Sequence, residues 1–468
     1  EGLIEFMLGD LRQRLQPVGR LDVLDAVGTR AIAYYAAQNE TRLDAESLGR
    51  RSRALHLIGE IAELRGKLDE AIRVFGQAER STARLLAQAP GDGQRVFDHA
   101  QSVFWVGYIA WRQGRLAEAE TAFLRYQALA ERLLEIDSHK PAWQAEQAYA
   151  LQNLGTVLFD ANRLPEARQA MLAAQERLRE LVAVKPELVG ELGNTMSWLA
   201  RTDERLGFIG RAITSLQARI ALLQPEALPT TDRQVQREVG SSHAEIARLE
   251  LDRGHAGAAQ DSARAALAIL EPLSRSDPAN TLWQQELAAA HLRLASALRS
   301  AAHDPTLARE QVASAMAILR RLLAQSQAVA NWRVNLLGQA LVLQAQTALP
   351  ALQQAAISDL RAWFDALDQA SAQASRRPTV ARAGLLLGDH LARGPRSAEA
   401  QPYWQHAAAQ VSDADPTPDP TAAACAALAS ARLGDMARAR RLATRLESTE
   451  FQHPDTAGSL HLLAVSSG

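Results

Sequence analysis

The sequence predicts an all-α chain, an α-α superhelix of about nine helix-turn-helix repeats with an N-terminal helical cap. Three observations predict it. Apolar residues are 47% of the 468, yet aromatics are only 5%, so Ala and Leu carry the core; both are strong helix formers. No stretch alternates Val, Ile, Thr and Tyr as a half-buried strand does. One packing frame also recurs: a small residue, Gly or Asn seven positions on, Ala twelve on, and a bulky apolar residue sixteen on. Such self-similarity marks a repeat array.

Residues 1–40 stand outside that frame. Phe6, Met7, Leu8, Leu11 and Leu15 form an apolar stripe at helical spacing, Pro17 and Gly19 break it, and Leu21, Leu24, Val27, Ala31, Tyr34 and Tyr35 form a second. This pair is expected to cap the open end of the array, as terminal units of solenoids do. The chain starts at Glu1 inside an apparent helix, so the expectation is of a fragment with more sequence upstream.

The array is expected over residues 41–412. Its clearest copies are Gly59, Gly66, Ala71 and Phe75, and Gly107, Gly114, Ala119 and Phe123 within Trp105 to Gln127. Gly155, Asn162, Ala167 and Met171 follow. Asn suits the turn because it tolerates the left-handed conformation Gly usually supplies after a helix. The packing alanine falls at 71, 119, 167, 212, 259, 308, 356, 400 and 439, in steps of 39 to 49. The seventh copy is degenerate, with Gln344, Ala351, Ala356, Leu360 and Trp363. Trp143, Trp283 and Trp332 each lie twelve before their repeat's small position, and Pro141, Pro186, Pro225 and Pro278 mark the joints between repeats. Asp413 to Pro420, DADPTPDP, reads as an extended linker that attaches the last repeat loosely. Residues 421–468 then hold that repeat and a tail with one short closing helix.

Small-(x6)-Gly-(x4)-Ala-(x3)-Phe-(x2)-Ala, as in GEIAELRGKLDEAIRVFGQA from Gly59 to Ala78, resembles the tetratricopeptide repeat. The resemblance covers residues 44 to 446, in steps longer than the usual 34. The joint DPANTLWQQELAAAHLRLA resembles long repeats of large bacterial multidomain signalling proteins. It implies an interaction scaffold, the partner-binding or sensing part of such a protein. The alternative is the regulatory domain of an upstream effector enzyme of Ser/Thr kinase, TIR or NTPase type. The family's C-terminal carboxylate clamp is not reproduced: the matching positions hold His56, Glu60 and Trp105.

Enzyme chemistry finds little footing in the sequence. No phosphate loop, HExxH, GxSxG or kinase catalytic loop occurs. Paired carboxylates such as Glu60 with Glu63 lie on Arg-rich helices and read as solvated ion-pair faces. His243 and His291, 48 apart, occupy equivalent sites on adjacent repeats and read as polar packing rather than metal ligands. The lone Cys425, in AAACAALASA, reads as a small buried hydrophobe. No catalytic, cofactor or metal site is expected. With 51 basic and 53 acidic residues and no basic stripe, nucleic acid is not a favoured partner. No apolar run approaches the roughly 20 residues of a membrane span. A cytoplasmic location is expected, with an upstream anchor left open and the oligomeric state unread.

In tetratricopeptide arrays the first helices line a groove. Carried over by position, that implies a protein or peptide site formed by Phe104, Tyr108, Trp111, Arg112, Tyr149, Gln152, Phe159, Asp160 and Arg201. Tyr, Trp and Arg are common interface anchors. The bland alternative is that Phe104, Trp111 and Phe159 only fill space between long helices. Repeats five to seven offer Ala244, Leu251, Ala289 and Ala345 in the same places.

Overall fold

The computed structural model describes residues 43–64, 66–224, 232–301, 305–325, 331–367 and 377–465. The expected cap at residues 1–40 lies outside them. Every regular element among the described residues is helical, and the chain divides into two compact units between Trp198 and Leu199.

In the first unit α1 (Ala45–Leu64) pairs with α2 (Leu68–Gln88), α3 (Gly93–Arg112) with α4 (Leu116–Ile136), and α5 (Pro141–Asp160) with α6 (Leu164–Val182). Helix α7 (Val189–Arg205) crosses the boundary and pairs with α8 (Ile209–Leu223). The second unit continues with α9 (Arg233–Asp252) and α10 (Ala256–Ser276), then α11 (Thr281–Ser300) and α12 (Pro305–Gln325). Helix α13 (Leu337–Thr347) is entered through a π-helical turn, Asn331–Leu336, and pairs with α14 (Pro350–Asp365). Then come α15 (Arg377–Ala392) with α16 (Ala400–Ala408), α17 (Pro420–Arg432) with α18 (Met436–Glu447), and a closing helix α19 (Ala457–Val465).

The recurring frame explains each hairpin. All nine packing alanines are buried: eight have no exposed surface and Ala356 is 3% exposed. Their size lets the second helix approach the first. Where the first helix carries glycine, the approach is closer still: a Cβ built on Gly107 would lie 2.9 Å from the Phe123 ring, and one on Gly155 would lie 2.9 Å from Met171. Phe123 fills that gap at 1% exposure, and burying such a side chain contributes about 1.5–3 kcal/mol. The turn after α3 closes with Gly114 at φ 74°. Gly114 N–H bonds Trp111 O at 2.8 Å and Arg115 N–H bonds Ala110 O at 2.9 Å, the bonds that satisfy a helix's last carbonyls. Asn162 makes the same turn at φ 60°.

The seventh repeat departs from the expected frame. Its tight approach is made by Gly338, not by Gln344: a Cβ at 338 would strike the Trp363 ring and lie 2.7 Å from Thr379. Trp363 Nε1 donates to Arg333 O at 2.8 Å. The turn is made by Leu349 in an extended conformation before Pro350, the first residue of α14, so no glycine is needed there.

The segment Asp413–Pro420 does not leave the last repeat loosely attached. Arg438 Nε donates to Asp413 Oδ1 at 2.7 Å, Arg445 donates to the carbonyls of Asp415, at 2.9 Å, and of Pro416, and Arg205 donates to Thr417 O at 2.9 Å. Nor is the segment extended as expected: Asp413 and Ala414 form a turn closed by Asp415 N–H to Ser412 O at 3.1 Å, Thr417 N–H donates to Asp415 Oδ1 at 3.1 Å, and arginines take the carbonyls that this winding backbone presents.

The same region closes the second unit on itself. Ile209, Ala212, Ile213 and Leu216 of the fourth pair share one core with Ala422 to Leu428, Leu442, Ala443 and Leu446 of the ninth. The chain beyond α18 then crosses the turns of earlier repeats. Glu450 N–H donates to Gly207 O at 3.2 Å, Gln452 N–H donates to Asp252 O at 2.6 Å, and Glu450 Oε2 accepts Gly210 N–H at 2.6 Å. Arg299 Nη2 meets both oxygens of Asp455 at 2.6 Å. Among its described residues the second unit is therefore a ring of six helix pairs. An open stack draws its stability from neighbouring repeats only; this ring adds a contact between its first and last.

Candidate functional site

Eight of the nine expected groove residues lie in the first unit, and the structure ties five of them, Phe104, Tyr108, Trp111, Arg112 and Asp160, to one another. On α3, Phe104 and Tyr108 stack with ring centroids 6.0 Å apart, and Tyr108 meets Trp111 at 5.8 Å. The Arg112 guanidinium sits 5.7 Å from the Tyr108 ring centroid and donates to its hydroxyl at 3.1 Å; it also pairs with Glu63 of α1. Trp111 Nε1 donates to Asp160 Oδ2 of α5 at 2.6 Å. Thr195 Oγ1 of α7 donates to Gln152 Oε1 at 2.7 Å. The first helices are thus linked by polar rungs about one repeat apart.

Those contacts sort the nine. Phe104 also lies against Trp105, Phe123 and Tyr126, with centroids 5.4, 6.3 and 5.7 Å away. Phe159 is buried, edge-on to Trp198 at 5.6 Å. These two pack the interior. Tyr108, Trp111, Tyr149 and Gln152 are half-buried, and Arg112 and Asp160 are exposed. Burial, with Glu191, Glu146 and Glu187 nearby, pushes the Tyr149 hydroxyl up to about 12, so it stays a neutral donor. Beneath this face Glu146 accepts Gln101 Nε2 at 2.7 Å and the Tyr126 hydroxyl; burial raises its carboxyl pKa against those bonds. Arg201 lies in the second unit, on an exposed part of α7.

The second unit holds a feature absent from the expectations. Its six first helices surround a cavity of about 290 Å³. Glu204, Arg248, Arg293, Gln339, Arg382 and Asp419 line it, one from each helix pair or its N-terminal edge, and His453 reaches it from the tail. Arg248 is its anchor: Nη2 lies 2.8 Å from Glu204 Oε1, Nη1 lies 2.8 Å from Asp252 Oδ2, and Glu245 completes the cluster. A second chain of bonds runs from Arg293 Nη1 to Gln339 Oε1 at 3.3 Å, and from Gln339 Nε2 to Asn335 Oδ1 at 2.8 Å, where Thr379 Oγ1 also donates at 2.8 Å. Arg382 Nη2 is 3.4 Å from His453 Nε2.

Burial sets the protonation of these groups. It lifts the Glu204 carboxyl to about 7 and that of Asp252 to about 6, despite the pull of Arg248. Burial also resists ionisation of Glu245, yet the Arg248 guanidinium holds that carboxyl at about 2. Burial and the Arg382 charge push the His453 imidazole down to about 3, so it is neutral. Burial lowers the Arg293 pKa. The Cys425 thiol, also pushed up by burial to about 11, is part of the ring's core. His291 Nδ1 bonds Gln311 Oε1 at 2.7 Å.

The cavity carried one faint sequence signal. Its lining residues sit four after Ala200 (Glu204), one after Ala247 (Arg248), two before Ala295 (Arg293), five before Gln344 (Gln339) and six before Gly388 (Arg382). From Glu204 to Gln339 the column moves back three residues per repeat, roughly one helical turn, and from Gln339 to Arg382 by one. It stays on one face but leaves any fixed alignment of the repeats, where Ala244, Leu251, Ala289 and Ala345 look featureless.

No family model matches the chain, and no curated protein matches it in sequence. Solved structures are similar. The apo form of RapI superposes with a TM-score of 0.53 at 12% identity, covering 87% of this chain and 97% of RapI. The apo form of the quorum sensor NprR from B. thuringiensis superposes with a TM-score of 0.50 at 12% identity, covering 85% of this chain and 97% of NprR. Both are helical repeat proteins, and together with the hairpins described above they give this chain the tetratricopeptide-type α-α superhelical fold.

Proposed function

We propose that the chain is a non-enzymatic protein-interaction scaffold, the partner-binding or sensing part of a larger bacterial signalling protein. In this reading a protein or peptide segment lies in a groove on the first-helix face of repeats two and three. One observation carries it: Tyr108 and Trp111 stand half-buried on α3 with Arg112 exposed beside them, Asp160 and Glu63 of neighbouring helices hold Trp111 and Arg112, and Arg112 in turn holds the Tyr108 hydroxyl. Anchors fixed before a ligand arrives lose little freedom on binding, which favours affinity. Tyr, Trp and Arg are the side chains most often dominant at such contacts. The fold likeness to NprR, a quorum sensor, supports a sensing role for an array of this kind.

Peptides selected against the full chain from a random display library test the reading. Their affinity is expected to fall at least tenfold in Trp111→Ala and Arg112→Ala, and to be unchanged in Leu352→Ser, an exposed position in the second unit. Thermal unfolding checks that each variant is folded. Peptides bound equally well by the Trp111 and Arg112 variants place recognition elsewhere.

A further inference from the structure

We propose that the central cavity of the second unit binds a small zwitterion, with its carboxylate between Arg293 and Arg382 and its ammonium at Asp419. The argument starts from unmatched charge. Of the charged groups lining the cavity, Glu204, Glu245 and Asp252 share Arg248. Arg293, Arg382 and Asp419 have no ion-pair partner among the described residues. Arg293 bonds Gln339, and Arg382 bonds His453 and the Cys425 thiol, all uncharged; Glu245, Asp252 and Asp455 act on these arginines only through space, and Asp419 Oδ1 accepts the Ala422 N–H of its own helix start, at 2.9 Å.

Burial lowers the Arg293 pKa, and the nearby positive charges of Arg248 and Arg382 lower it further. Charges taken from water and left unpaired are costly, so a cavity holding unpaired groups of both signs is matched by a ligand with both. A guanidinium pair suits a carboxylate, which accepts two parallel bonds from each fork. A dianion would answer Arg293 and Arg382 but crowd Asp419 and the three carboxylates around Arg248. A simple cation would leave both guanidiniums unmatched.

Size and lining narrow the class. About 290 Å³ is at the lower edge of the roughly 300–1,000 Å³ that small-molecule sites occupy. That room fits a free amino acid or a dipeptide. Asn335, Gln339, Thr379 and Thr421 offer hydrogen bonds to the ligand's middle, while Leu251, Leu292, Val342 and Leu343 offer an apolar wall for a side chain. This site lies wholly within residues 199–468 and is independent of the groove on α3.

The test is calorimetric titration of the full chain with the standard amino acids and with glycine-containing dipeptides. Sodium acetate, ethylamine hydrochloride and inorganic phosphate serve as single-charge and dianion controls. At least one amino acid or dipeptide is expected to bind in the micromolar to low millimolar range, with acetate, ethylamine and phosphate at least tenfold weaker. The N-acetylated and the C-amidated forms of that ligand are each expected to lose tenfold or more. These two read the ligand's poles on the unaltered protein, so the test survives if a substitution unfolds the ring. Arg293→Gln and Arg382→Gln are expected to weaken binding tenfold or more. Asp419→Asn, which preserves the helix cap, is expected to remove the preference for the free amine over its acetylated form. No binding by any member of the panel, tighter binding of phosphate, or indifference to N-acetylation each overturns the proposal.

Discussion

Trp111 and Asp160, 49 residues apart, share a 2.6 Å hydrogen bond that joins the first helices of the second and third repeats. A donor bonded to a carboxylate is among the stronger kinds, at about 1.5–3 kcal/mol when shielded, and less where the carboxylate is exposed. A double-mutant cycle with Trp111→Phe and Asp160→Ala is expected to give a coupling of about 1 kcal/mol in urea unfolding. Zero coupling, with each single change costing the same in the other's absence, means the bond does not form in solution.

Gly107 and Phe123 set the closeness of α3 and α4. Gly107→Ala puts a methyl 2.9 Å from the Phe123 ring and is expected to destabilise by about 1–3 kcal/mol, the usual range for overpacking. Adding Phe123→Leu, which clears the ring, is expected to recover part of that loss. If Gly107→Ala is neutral, the two helices stand farther apart than described.

Glu450 holds the tail to the fourth repeat through Gly210 N–H and, at 3.4 Å, Arg253. Glu450→Ala is expected to cost about 1 kcal/mol and to speed amide exchange both at residues 207–210 and in α18. Exchange that speeds only beside residue 450 indicates that the two ends of the ring open independently.

The ring's stability is expected to depend on pH through Glu204. Arg248, Glu245, Asp252 and Asp419 face this carboxyl. Burial raises it from the ordinary 4.5 to about 7, so the folded state binds its proton more tightly than the unfolded chain. That contribution is fully present below about pH 4.5 and is lost as pH rises through about 7. Asp252 acts in the same direction, from 3.8 to about 6. Glu245 acts oppositely, and its contribution is lost only as pH falls from 4.5 through about 2. Between pH 8 and 5 the unaltered chain is therefore expected to gain on the order of 1–2 kcal/mol that Glu204→Gln does not. Parallel stability curves for the two proteins across that window refute the assignment.

The hairpins were legible because their signals are local. Gly107, Gly114, Ala119 and Phe123 interact within twenty residues, and both the 2.9 Å approach of Gly107 to Phe123 and the φ of 74° at Gly114 follow from residue type alone. Asn162 was legible for the same reason. What the sequence hid is long-range. Nothing about Glu450 in isolation points to Gly210, 240 residues earlier. The Ala-rich run around Cys425 reads as an ordinary buried helix, whether it covers the end of a stack or meets the fourth repeat. In the groove, residue type marked Phe104 and Trp111 alike as aromatics on a first helix; only neighbours in space separate the ring facing Phe123 and Tyr126 from the one reaching Asp160.

The single core that holds both Ile213 and Leu442 restricts how this half of the chain can change in length. An open stack accepts one more or one fewer copy at little penalty, since a new copy meets the same neighbours as the old. Here the arc is complete. A duplicated hairpin has no gap to enter, and a deleted one leaves a breach that the remaining five span only by tightening every crossing. Copy number in this half is thus set by circumference, and point substitution inside the existing copies is the route left open for altering what it binds.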